Sequence, residues 1–160
     1  TDESFHDMSL EGCDGVRVPV NRNTLAVKSK VFRTMLLGEF SEAKRDVVRI
    51  GDYSSEVLHV LVEYVYTDTT TALEAPVSGE SINNHLQLIV SLHRAAEYFN
   101  LPKLCKRAHT AMSDRLMAHP TLSFALLEAS HEAGPTIPQG LVELAWSKIR
   151  ADKDKRVKFA

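Results

Sequence analysis

The chain has 160 residues, 44% of them hydrophobic and 25% charged, and its 19 Lys+Arg against 21 Asp+Glu give a formal net charge of −2. A charge balance without basic excess argues against nucleic acid as a partner, and this apolar content at so low a net charge argues against disorder. No apolar run approaches the roughly 18 residues of a membrane span, which leaves a globular domain long enough to bury a core.

The chain opens on Thr1 rather than Met, so an excised or processed piece is expected, and acidic Thr1-Asp2-Glu3-Ser4 does not resemble a signal peptide. Phe5, Met8 and Leu10 lead into the turn-rich Gly12-Cys13-Asp14-Gly15, after which Val16, Val18 and Val20 alternate with Arg17 and Pro19. This pattern reads as a hairpin, with Pro19 at a strand end or on an edge because it has no N–H for a ladder. From Thr24 the period changes. Val31, Phe32, Met35 and Leu36 form a helical stripe with Ser29 as N-cap and Gly38 at the stop. Val47, Val48 and Ile50 make a short strand before the Gly51-Asp52 turn, and Ser54 caps a run from Val57 to Tyr66. A length of ten or more residues favours helix there over strand.

Residues 67–82, rich in Thr and then Pro76, Ser78 and Gly79, read as a surface loop. Leu86, Ile89, Leu92, Ala96 and Phe99 restart a helical stripe that stops at Asn100-Leu101-Pro102, where a helix lined by Leu104, Ala108, Ala111 and Met112 begins. Pro120 opens a helix with Leu122, Leu126 and Ala129 on one face, ending at Gly134. Pro138 opens another, with Leu141, Leu144, Ala145 and Ile149 inward, Trp146 taken as core, and Asp152 to Lys158 as a frayed tail. The fold class is therefore α+β, a short sheet with short helices followed by an all-α extension, with a seam near residues 113–119.

Enzyme signatures are missing: no glycine-rich phosphate loop, no His-Glu-x-x-His and no Gly-x-Ser-x-Gly. The seven histidines are scattered, and the neighbours in His6-Asp7 and His131-Glu132 do not converge on one metal. Cys13 and Cys105 lie 92 positions apart, which suggests a reducing compartment rather than a disulfide framework or zinc pairing. Cys105 reads as core filling on an apolar stripe and Cys13 as a turn thiol with little to activate it. The expectation is a non-enzyme with no cofactor and no metal, located in the cytoplasm or nucleus.

Four blocks carry a resemblance to BTB/POZ domains. His6-Asp7-Met8-Ser9-Leu10 is similar to the first-strand Asp-Val-x-Leu motif. Leu25, Ala26, Ser29, Phe32, Met35, Gly38 and Phe40 fall in register with the family's Leu-Ala-x-Ser-x-x-Phe-x-x-Met stretch. Val48-Arg-Ile50, Asp52 and Val65-Tyr-Thr67 resemble its strand, Asp and Φ-Tyr-Thr-Gly continuation, and Ala95-Ala-Glu-Tyr-Phe-Asn-Leu-Pro-Lys-Leu104 its helix junction. The blocks occur in the family's order over residues 5 to about 113, which places a BTB/POZ domain at 1–115. Residues 116–160 resemble a partial 3-box/BACK-like extension. Asn21 stands where the family usually has His, the loop at 67–82 is longer than usual, and the N-terminal helix that many members exchange in a homodimer is not visible.

The resemblance implies a protein-interaction platform. Its cullin-3-binding members, substrate adaptors of ubiquitin ligases, carry a hydrophobic-x-Glu motif after the Phe-x-x-Met helix, and Phe40-Ser41-Glu42 holds that register. An exposed ring would fill a pocket of the cullin-3 N-terminal domain, and the glutamate would fix register through charge-assisted hydrogen bonds. The alternative for Phe40 is burial in its own core. Tyr66 falls near the same surface in the family, or else packs on the helix at 83–99. Substrate proteins would bind regions outside this chain. A second reading is a homodimerising, corepressor-recruiting platform of a transcription regulator, and a third, an enzyme using Cys13 or the histidines, predicts thiol-dependent turnover.

Overall fold

A computed structural model describes residues 5–39, 41–74, 81–133 and 138–158, and in it the alternation at 8–20 forms the expected hairpin. Strands β1 (Met8–Glu11) and β2 (Arg17–Val20) pair antiparallel with Leu10 opposite Val18, and β3 (Val47–Arg49) joins the other side of β1 in parallel. The order β2-β1-β3 puts Pro19 on an edge strand, where its missing N–H leaves no central ladder unpaired. Gly15 takes φ +73 in the turn, and Gly12 lies so close to α3 (Ser55–Thr67) that a Cβ would sit 2.6 Å from the Ser55 nitrogen. The turn's Asp14 carboxylate accepts from the Ser55 amide (3.0 Å) and hydroxyl (2.7 Å), so the hairpin supplies the first-turn cap of a helix 41 residues later.

Asn21 begins a helix that the stripe behind Ser29 did not reveal, α1 (Arg22–Lys28), by accepting from the Thr24 amide at 3.1 Å. Ser29 ends α1 and caps α2 (Lys30–Leu37): its hydroxyl accepts from the Phe32 amide at 3.1 Å and donates to the Phe99 carbonyl. Phe32 stacks on Phe99 with ring centroids 4.1 Å apart. Gly38 closes α2 with extended backbone (φ −80°), so the helix stops there without a left-handed cap. A 3-10 turn follows at Ser41–Lys44.

The segment read as a surface loop contains a further turn of helix, α4 (Thr71–Glu74), and Thr70 before it is fully buried. Residues 75–80 of that loop lie outside the described residues, as does Gly134. The remaining helices are α5 (Ser81–Tyr98), α6 (Pro102–Ala118), α7 (Leu122–Ala133) and α8 (Gln139–Lys158). The supposed frayed tail is the helical end of α8. Leu141 and Ala145 are buried as expected, but Leu144 and Ile149 are half-buried and Trp146 is 47% exposed, so that ring is not core.

Two apolar clusters hold these elements. The first joins the sheet to α1–α3 and the C-terminal half of α5 through Leu10, Val20, Leu25, Phe32, Leu58, Leu61, Leu92 and Phe99. The second joins the other half of α5 to α6, α7 and α8 through Leu86, Ile89, Met112, Leu116, Leu126 and Leu141. Each fully buried Leu or Phe contributes about 1.5–3 kcal/mol, so the α5–α6 hairpin, lining both clusters, ties the molecule together. The hairpin corner is a Schellman motif: Asn100 sits at φ +52, with Leu101 N–H on Ala96 C=O (2.8 Å) and Asn100 N–H on Glu97 C=O (3.0 Å). Helix α6 runs unbroken through residues 115 and 116.

Candidate functional site

Helix α2 is two-faced. Phe32 and Leu36 point into the first core, while Val31 and Met35 are half-buried on another side. Beyond Gly38 the chain returns along α2 as the 3-10 turn, whose Glu42 carbonyl accepts the Arg45 amide at 3.2 Å. Between turn and helix lies an open groove of about 470 Å³ lined by Lys30, Val31, Thr34, Met35 and Glu42. It has an apolar floor with a cation and a carboxylate among its lining, a combination that suits a large apolar side chain flanked by polar groups.

Of the four residues expected from the sequence to meet a cullin, Glu42 is half-buried and lines this groove. Phe40 and the Ser41 side chain lie outside the described residues. Tyr66, 42% exposed, is not among the groove's lining residues. Its hydroxyl instead accepts the Asn21 amide at 2.7 Å at the start of α1, while the Asn21 side chain also donates to the Phe5 carbonyl at 3.0 Å. The Asn at the family's His position thus ties the segment before β1, α1 and α3 together. Asp7 works beside it, accepting from the Arg22 amide (2.9 Å) and from the Arg22 guanidinium (3.0 Å).

The fold also assembles a group that the sequence reading missed. His93 and Glu97, one turn apart on α5, meet Cys105 on α6, with one donor atom of each lying within 4.8 Å of the others. The Cys105 sulfur is 3.2 Å from His93 Nε2. Burial pushes the Cys105 thiol pKa up, and the Glu97 charge adds to it. Burial pushes His93 down, which keeps its imidazole neutral. A thiol held protonated in this way is not a primed nucleophile. The i, i+4 spacing of His93 and Glu97 was visible in the sequence, but the third member comes from the helix hairpin.

A family model described as BTB/POZ domain matches residues 1–116. The Kelch repeat and BTB domain-containing protein 8 of Danio rerio is 30% identical over 110 residues, covering 69% of this chain and 16% of that protein. Kelch-like protein 21 of Homo sapiens is 29% identical over 101 residues, covering 63% of this chain and 15% of that protein. The chain therefore spans about one sixth of the length of these relatives. The solved BTB domain of zebrafish PATZ1 superposes with a TM-score of 0.52 at 14% identity, covering 69% of this chain and 77% of that one, a likeness of fold. Hairpin, capped helix pair and helix junction thus stand in the order that the four sequence blocks announced, and the chain belongs to the BTB/POZ domain family of protein-interaction modules.

Proposed function

We propose that this domain is the cullin-3-binding part of a ubiquitin ligase substrate adaptor, engaging the cullin-3 N-terminal domain through Phe40, Ser41 and Glu42, with Tyr66 on the flank. The observation that carries the reading is Glu42, the residue that completes the hydrophobic-x-Glu register, at the wall of an apolar groove. Residues 1–115 form the interaction domain in this reading. Residues 116–160 are read as a 3-box/BACK-like extension that continues the binding face; Met117, Phe124 and Trp146 are exposed along it. Substrates bind elsewhere in the full protein, in the cytoplasm or nucleus, and catalysis belongs to the ligase's other components.

Calorimetric titration with a cullin-3 N-terminal domain tests this. Wild type is expected to bind at submicromolar to micromolar affinity. Phe40→Ala and Glu42→Lys should each weaken binding by about thirtyfold or more, the scale of a residue worth about 2 kcal/mol or more at an interface. Circular dichroism should show both variants folded. Unchanged affinity in both folded variants contradicts the assignment of the triplet to the interface.

A further inference from the structure

The α5–α6 hairpin carries donors that the interaction surface does not use. We propose that His93, Glu97 and Cys105 form a binding site for a single divalent metal ion of zinc type, with water completing the coordination. The donor set is nitrogen, oxygen and sulfur, the mixture that suits a borderline-soft ion such as zinc. With the bond lengths zinc takes, a nitrogen and a sulfur ligand lie about 3.6 Å apart across a tetrahedron. His93 Nε2 and Cys105 Sγ are 3.2 Å apart, and the three donors lie within 4.8 Å of one another, so small side-chain rotations close the site.

Burial supports a ligand role over a packing role. His93 is 2% exposed, yet among the described residues its Nδ1 has no hydrogen-bond partner and its other nitrogen meets only a thiol. Such a ring is poorly compensated as a core residue, because an imidazole is expensive to desolvate and a thiol is a weak partner. Coordination through Nε2 would replace that weak thiol contact with a metal–nitrogen bond. The exposed Glu97 gives an ion a route in from solvent. As the metal–sulfur bond forms, the thiol proton leaves to solvent and the thiolate supplies the electron pair; no oxidant is needed. The bound ion would pin α5 to α6 close to the Asn100 corner.

Cobalt(II) titration of the folded 160-residue chain tests the site, because a cobalt–thiolate bond has its own near-ultraviolet charge-transfer band. The expected result is that band at one equivalent, abolished by one equivalent of zinc, retained in Cys13→Ser and lost in Cys105→Ser. Glu97→Gln alters an exposed side chain and leaves the cores intact. It should weaken zinc binding by more than about tenfold, since even outer partners of a metal contribute that much. No thiolate band in the folded wild type, a band lost in Cys13→Ser instead, or equal zinc affinity in wild type and Glu97→Gln overturns the proposal.

Discussion

Asp68 shows how one residue can hold three helices. It ends α3 in the left-handed conformation at φ +59, at the position where the family motif has glycine, and Asp is among the few types that tolerate it. Its carboxylate takes the Lys28 ammonium of α1 at 2.7 Å, and its carbonyl takes the Arg107 guanidinium of α6 at 2.6 Å. The Lys28 hydrogen bond holds the Asp68 carboxyl below its ordinary pKa of 3.8, and the Ser55 bonds do the same for Asp14. A folded pKa below the unfolded one gives stability that is present above the ordinary value and lost as pH falls through the folded value. Thermal melts are therefore expected to fall in midpoint below about pH 4. Asp68→Asn, which keeps the left-handed backbone, should flatten part of that fall; an unaltered pH profile would show that the pair carries no linkage. At this scale the sequence was legible wherever a residue's own backbone chemistry decides, as for Pro19, Gly15 and Ser29. It was silent on Asp14 and Asn21, because their partners Ser55 and Tyr66 lie about 40 residues away.

Elements were legible where apolar period and caps agreed, as in α2, α3, α5 and α6. The segment at 67–82 misled because threonines suggest solvent, whereas Thr70 is buried and Thr71 begins a helical turn. The end of α8 misled in the opposite sense, since a charge-rich stretch lacks an apolar stripe but still propagates an established helix. Trp146 stands beside the inward stripe of α8, but its neighbour Ala145 takes the buried position and the ring is 47% exposed. The α5–α6 corner is the element on which both cores depend, and its geometry needs a residue at positive φ. Asn100→Val should cost about 1–2 kcal/mol in chemical denaturation, because a β-branched side chain is strained there, while Asn100→Gly should be nearly neutral. Equal loss in both variants would place the Asn100 contribution in its side chain instead.

For the whole molecule, the order of strands and helices was legible and the arrangement of the cores was not. Sequence suggests a domain followed by an appendage. The packing shows how the two are joined: α5 and α6 line both apolar clusters, and α7 and α8 cover surface that belongs to the BTB helices themselves. The groove beside α2 is local in sequence: Lys30, Met35 and Glu42 lie within thirteen residues, so local structure alone brings them together. The metal-type cluster is not, because it needs two helices folded back on each other. The account rests on the surface around Glu42 being a docking face for another protein. Light scattering of the chain mixed with a cullin-3 N-terminal fragment tests this most directly. The predicted result is a complex with one cullin fragment per chain, absent for Glu42→Lys; separate, unshifted masses for the wild-type mixture would contradict it.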